Sequence, residues 1–238
     1  MGIAALKTVD VCLTPDLMHQ YSVADRTVVV VDIFRATSCM VTALANGMAS
    51  ITPFANLEDC RAMKTQGYDT AGERDGKKVE GFDHGNSPFE YMVDEMKGRR
   101  LAFTTTNGTQ AIAKSSGARE IIIGSFLNLS AVAQHVMKSD NNVLIVCAGW
   151  KGKFNLEDTL FAGALVDLTE GGIEPECDAP RAAKHLYLSA RNDMKSFLAN
   201  ASHVKRLAKL NVVKDIEFCL TPDVYDVVPI LREGVLKV

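Results

Sequence analysis

Along the chain, short runs of β-branched and aliphatic residues alternate with stretches whose apolar positions recur at helical spacing. The runs are KTVDVCL, TVVVVDIF, SITPFA, RLAFTTT, EIIIGS and NVLIVCAG. Several are continuously apolar rather than alternating, as strands buried on both faces are. Between them, ATSCMVTALANG has the helical spacing and ends on Asn46-Gly47, a good C-terminal stop. NLEDCRAMKTQG opens at Asn56, a candidate N-cap, and stops at Gly67. GTQAIAKSSG, NLSAVAQHVMKS and the longer NLEDTLFAGALVDLTEGG follow the same habit. Strand and helix in this alternation predict an α/β protein, a layered α/β/α arrangement around a mostly parallel sheet.

After about Gly172 the pattern changes. DAPRAAKHLYLSARNDMKSFLANASHVKRLAKL reads as helical and more basic, while VVKDIEF and YDVVPILREG read as late strands. This segment is expected to pack on the sheet as helices plus a small edge. Within it, HVKRLAKL reads as an amphipathic helix with a solvated face rather than a nucleic-acid contact.

The 238 residues suit one unit, or two intertwined α/β lobes at about 1–125 and 126–238. With 47% hydrophobic and 23% charged residues the chain is neither disordered nor membrane-like. A net charge of −3 gives no whole-chain signal for nucleic acid. No apolar run approaches the roughly 18 residues of a bilayer span, so no membrane partner is expected. MGIAALKTVDV lacks the apolar stretch of a signal peptide, and Leu6 stands where a myristoylation motif on Gly2 needs Ser or Thr. A cytoplasmic location is expected. The six cysteines form no C-x-x-C pair and read as reduced structural thiols. Oligomeric state stays open, a homo-oligomer included.

Ligands of open α/β sheets bind outside the carboxyl ends of the strands. The residues there are unusually polar. In TVVVVDIFRATS, Asp32 ends a strand and Arg35 precedes a helix. The carboxylate suits Mg²⁺ and the guanidinium suits a phosphate or sulfonate. An internal Asp–Arg ion pair is the alternative. In RLAFTTTNGTQAI, Thr104, Thr105, Thr106, Asn107, Gly108 and Thr109 form a hydroxyl-rich turn at a helix start, which favours an anion over a simple N-cap.

AGERDGKKVEGFDHGNSPFEY is the densest segment. Glu73, Glu80 and Asp83 are candidate metal ligands in it, and Arg74, Lys77 and Asn86 candidate substrate contacts. Taken singly, each acid reads as solvated; taken as a set they read as a site. His84 alone is weak evidence. In VCAGWKGKFNLEDTLFAG, Trp150, Lys151 and Lys153 could frame an anion, whereas Asn155 reads as a cap and Glu157 and Asp158 as complements to the helix dipole.

Other phosphate and acyl chemistries lack their signatures. There is no G-x-S-x-G elbow, no P-loop and no G-x-G-x-x-G after a strand. The cysteine-arginine cradle of thiol phosphatases is missing as well. Phe34 stands where the haloacid-dehalogenase type needs a second Asp.

Taken in order, VVVDIFRATS, GERDGKKVEGFDHGNSPFEY, TTTNGTQAI and CAGWKGKFNLEDTLFAGALV resemble the 2-phosphosulfolactate phosphatase family, most strongly from Asp32 to Asp167. The resemblance implies an α/β, Mg²⁺-dependent hydrolase. Its reaction removes phosphate from 2-phospho-3-sulfolactate, a step on the route to coenzyme M. Trp150 and His84 depart from the family pattern, standing where a smaller and an apolar residue respectively are usual.

A trianionic substrate of this kind needs a metal and several cationic groups. The expected assignment is therefore Asp32, Glu73, Glu80 and Asp83 around Mg²⁺. Arg35, Arg74, Lys77, Asn86 and the Thr105–Thr109 turn would face the substrate, with Asp32, Arg35 and Glu73 catalytic. A phosphatase of another small phospho-acid and a non-catalytic small-anion binding protein are the alternatives.

Overall fold

The structure, a computed structural model, describes residues 7–210 and 212–238; the leader and Gly2 readings fall outside them. Eleven strands form one sheet among the described residues. They are β1 (Thr8–Cys12), β2 (Arg26–Val31), β3 (Ser50–Pro53), β4 (Asp69–Arg74), β5 (Lys77–Lys78), β6 (Arg100–Thr104), β7 (Glu120–Gly124), β8 (Asn142–Cys147), β9 (Glu174–Pro175), β10 (Ile230–Arg232) and β11 (Val235–Lys237). The helices are α1 (Ala36–Ala45), α2 (Leu57–Ala62), α3 (Gly108–Lys114), α4 (Leu129–Lys138), α5 (Leu156–Leu168), α6 (Asp178–Ala190), α7 (Met194–Leu198), α8 (Ser202–Ala208) and α9 (Val213–Cys219).

The sheet order is β5-β4-β6-β3-β11-β10-β7-β2-β8-β1-β9. Two parallel blocks, β4-β6-β3 and β7-β2-β8-β1, are joined by the antiparallel C-terminal hairpin β10–β11. The strand expected within YDVVPILREG thus exists, but it lies inside the sheet rather than at its edge. VVKDIEF, expected as a strand, forms α9. The first turn of α9 carries Asp215 and Ile216, both buried, so tertiary packing of a helical face overrides the β-branched preference of the paired valines.

β2 shows why the parallel strands lack alternation. Val29 and Val31 enter the core on one face, with Phe126, Phe161 and Leu165 from the loop before α4 and from α5. Val28 and Val30 enter the core on the other, with Met40 and Leu44 of α1. All four valines are fully buried. At roughly 1.5–3 kcal/mol for each large aliphatic side chain, this strand is a principal source of hydrophobic stability. The Asn56 cap is realised: its side chain accepts from the Glu58 and Asp59 amides, at 2.7 and 3.3 Å. Five of the six cysteines are buried free thiols and Cys177 is exposed. Among the described residues, no helix is long and apolar enough to cross a membrane.

Candidate active site

Three parallel strands, β2, β4 and β6, deliver polar loops to the same edge. Asp32 follows β2 directly, Glu73 closes β4, and Thr106 and Asn107 follow β6. These residues line one cavity together with Arg35 and Asn86. It is a narrow cavity of about 20 Å³.

Asp32 is 7% exposed. Burial pushes its carboxyl pKa up to about 7; His203 draws it down, while Glu73 and Glu157 push it further up. Gly108, at the start of α3, packs on this carboxylate: a Cβ there would lie 2.8 Å from Asp32 Oδ2 and 2.7 Å from the Ala36 Cβ. Glycine is what allows α3 to approach so closely. Glu73 Oε1 accepts from the Thr106 amide at 2.8 Å and Oε2 from the Gly76 amide at 2.6 Å. It therefore ties the β4 and β6 loops together beneath the cavity.

Arg35 is buried and ion-pairs with Asp215 of α9 through Nη1, while Nη2 donates to the Gly76 carbonyl at 3.3 Å. The ion-pair reading of this segment is thus realised in part. Arg35 does form an internal ion pair, but its partner is Asp215, and Asp32 remains separate. Three buried polar atoms of the lining residues have no protein partner: Arg35 Nε, Asn86 Oδ1 and Thr106 Oγ1.

The expected threonine turn divides. Thr105 and Thr109 are buried and bonded to one another through three hydrogen bonds of 3.0–3.2 Å, and neither is part of the cavity lining. Thr104 Oγ1 accepts from Arg74, which also donates to the Glu73 carbonyl, so Arg74 stitches β4 to β6. Lys77 is exposed, in a neighbouring groove that shares Arg35, Gly76 and Asn86 with the cavity.

Two acids expected around a metal are not brought to Asp32. Asp83 pairs with Lys64 at 2.6 Å and accepts from the Thr70 amide and hydroxyl at 2.9 and 2.8 Å. Burial opposes its ionisation, but these partners outweigh it and hold its pKa down to about 2. Glu80 is exposed on the same loop, its carbonyl accepting from Arg61 at 3.1 Å. His84 packs near the Tyr91 ring, 5.9 Å between centroids, and is not part of the lining.

The α5 entrance departs from the capping expectation. The Asn155 side chain makes no cap bond. Asp158, buried, accepts from the Ile33 amide at 2.9 Å and the Gly149 amide at 3.0 Å, fastening the β2 and β8 loops. Its carboxyl pKa is raised well above the ordinary range by burial, then by Glu157 and Asp32. Glu157 Oε1 lies 2.5 Å from Nδ1 of His203, and both residues are buried. Asn155 Nδ2 approaches the same Nδ1 at 3.4 Å, and His203 lines the cavity.

His203, Arg206 and Leu207 all come from α8, which roofs the cavity. Sequence reasoning missed them because a helix of seven residues with three basic positions reads as a solvated face. The available signal was His203 one turn before Leu207, which places both on one side of the helix.

Carboxylates, guanidinium groups and an imidazole are thus gathered in one narrow cavity at the carboxyl edge of the sheet of an α/β protein. A model of the family described as 2-phosphosulpholactate phosphatase matches residues 12–234. The chain belongs to that family, whose members are phosphatases acting on a phosphoric monoester. It is 40% identical over 229 residues to the probable 2-phosphosulfolactate phosphatase of Caldanaerobacter subterraneus subsp. tengcongensis, covering 94% of this chain and 95% of the relative. Against the protein of the same name from Thermotoga petrophila, identity is 44% over 216 residues, 88% of this chain and 91% of the relative. Against that from Clostridium acetobutylicum it is 38% over 231 residues, 95% and 98% of the two chains.

Proposed function

We propose that the chain is a Mg²⁺-dependent phosphatase that converts 2-phospho-3-sulfolactate to 3-sulfolactate and phosphate. Family membership and the names of the relatives support the substrate. One observation carries the assignment of the site. The Asp32 carboxylate shares a cavity with two buried donors that have no protein partner, Arg35 Nε and Thr106 Oγ1. Leaving such atoms unmatched costs roughly 1–3 kcal/mol each, which a bound polar substrate offsets.

Among the described residues, no three His, Cys, Asp or Glu side chains form a ready metal cage. Mg²⁺ does not require one, since it keeps several waters and takes one or two carboxylates plus substrate phosphate. Asp32 and Glu73 fit that mode and would hold the ion. Asp32 has no cationic side chain bonded to it among the described residues, and its raised pKa expresses a charge in want of a counter-ion. When bound, the ion supplies polarisation of a phosphoryl oxygen.

The chain's own groups do the rest. Arg35 and the Thr106 hydroxyl donate to the oxygens of the substrate. His203, held at Nδ1 by Glu157, moves a proton at Nε2. The water oxygen bonds to phosphorus while the bond from phosphorus to the C2 oxygen breaks. The proton taken from water is returned to that departing oxygen, which becomes the 3-sulfolactate hydroxyl.

The test is phosphate release from racemic 2-phosphosulfolactate with Mg²⁺ and then with excess chelator. Release that stops on chelation and returns with added Mg²⁺ is expected. No release at any metal setting removes the substrate assignment, and release indifferent to chelation removes the metal.

A further inference from the structure

The cavity lining includes three basic side chains, and two are already matched with buried acids. Arg35 is paired with Asp215, and His203 with Glu157. The third, Arg206, has no ion pair and no side-chain hydrogen bond among the described residues. It instead lies over Trp150, with its guanidinium carbon 3.8 Å from the indole ring centroid. Lys151 Nζ lies 4.8 Å from the same ring centroid. The turn carrying Trp150 is closed by paired backbone hydrogen bonds between Trp150 and Lys153, at 2.8 and 3.0 Å, and its Gly149 amide is fastened by Asp158. The backbone that carries the indole is thus held at both ends of the turn. Burial lowers the Arg206 pKa, while Glu157, Glu73, Asp75 and Asp32 act to raise it.

A guanidinium stacked by its face keeps its N–H edge free for two-point contact with an oxyanion. Of the basic lining groups, Arg206 is the one whose charge no carboxylate has claimed. We infer that Arg206 is the principal anion-binding residue of the site and that Trp150 is the positioning residue that holds it. Its ligand is a tetrahedral oxyanion, the phosphoryl or the sulfonate group of the substrate. The inference rests on the proposed function only in making that anion part of the substrate.

Trp150 is the only tryptophan in the chain, so its emission reports the stack directly. Two probes, inorganic phosphate and 3-sulfolactate, are titrated by calorimetry and by fluorescence into the wild type, Arg206→Gln and Trp150→Leu. At least one probe is expected to bind the wild type with a saturable change in emission. In Arg206→Gln that affinity falls roughly tenfold or more and the emission change disappears, since a charged partner is lost. Whichever probe loses more identifies the group Arg206 holds.

Trp150→Leu should weaken the same probe about two- to fivefold, Trp150→Tyr should restore most of it, and Trp150→Leu should cost nothing further in the Arg206→Gln background. Unchanged affinity for both probes in Arg206→Gln overturns the inference, as does a wild type that binds neither. If the wild type does not hydrolyse 2-phosphosulfolactate but Arg206→Gln still loses anion affinity, the substrate assignment falls and the inference stands. Normal hydrolysis by Arg206→Gln with an unchanged KM has the opposite meaning.

Discussion

Arg35 and Asp215 are 180 positions apart in sequence and form a buried ion pair beside the cavity. Asp215 Oδ1 also accepts from the Ser87 hydroxyl at 3.0 Å, so one carboxylate joins the β2 loop, the long loop after β5 and α9. Removing one member of a buried pair leaves the other charge uncompensated, at a cost of about 3–5 kcal/mol. Asp215→Ala is expected to lose stability of that order in denaturant unfolding. Asp215→Asn, which keeps a hydrogen bond to Arg35, should lose less and show a raised KM. A fully stable Asp215→Ala variant would mean that the pair contributes little to the fold.

Gly108 is predicted to be irreplaceable. A methyl group there would meet the Asp32 carboxylate and the Ala36 Cβ, both closer than 3.0 Å. Gly108→Ala should cost roughly 1–3 kcal/mol through overpacking. It should also lower kcat at least tenfold by displacing Asp32. Steady-state kinetics beside a thermal melt separates the two effects.

Asp32 should make stability of the metal-free protein fall with rising pH. Its folded pKa of about 7 lies above the ordinary 3.8. Below pH 3.8 the group is protonated in both states and contributes nothing. Between the two values the unfolded chain ionises and the folded one resists, so the penalty grows until about pH 7 and is constant above it. Asp32→Asn does not ionise. Its stability relative to the wild type should therefore increase from pH 4 to pH 7 and then level off. Chelator-treated samples unfolded in urea across that range provide the check; a constant difference would contradict the shift.

His203 and Glu157 should act as one unit. His203→Gln is predicted to lower kcat by about 10²–10⁴. Glu157→Gln should lower kcat less, and the two losses should not add. Additive losses would indicate that Glu157 does not act through the imidazole.

The parallel blocks were legible because their strands are buried on both faces, which leaves continuous apolar runs such as that of β2. Asp32, Arg35, Glu73, Thr106 and Asn107 were legible as candidates because each stands where an apolar run meets a polar loop, and Asn86 because it lies in the dense polar segment. Asp83 was misplaced because sequence shows an acid near glycines but not the Lys64 and Thr70 that occupy it. Thr105 and Thr109 looked like donors, and only their mutual geometry shows that they satisfy each other. The roof was hidden for another reason. His203, Arg206 and Asp215 reach the site through tertiary packing of short helices, and nothing local in their segment marks which polar positions turn inward. The same holds for β10 and β11, too short to reveal from sequence that they bridge the centre of the sheet.

The central claim is that the Asp32 cavity performs the hydrolysis, and turnover of 2-phosphosulfolactate by Asp32→Asn tests it most directly. Phosphate release is expected to be abolished while the variant melts at or above the wild-type temperature, because a buried charge has been removed with its shape retained. Near-normal turnover by a folded Asp32→Asn protein would contradict it and move the chemistry elsewhere in the molecule.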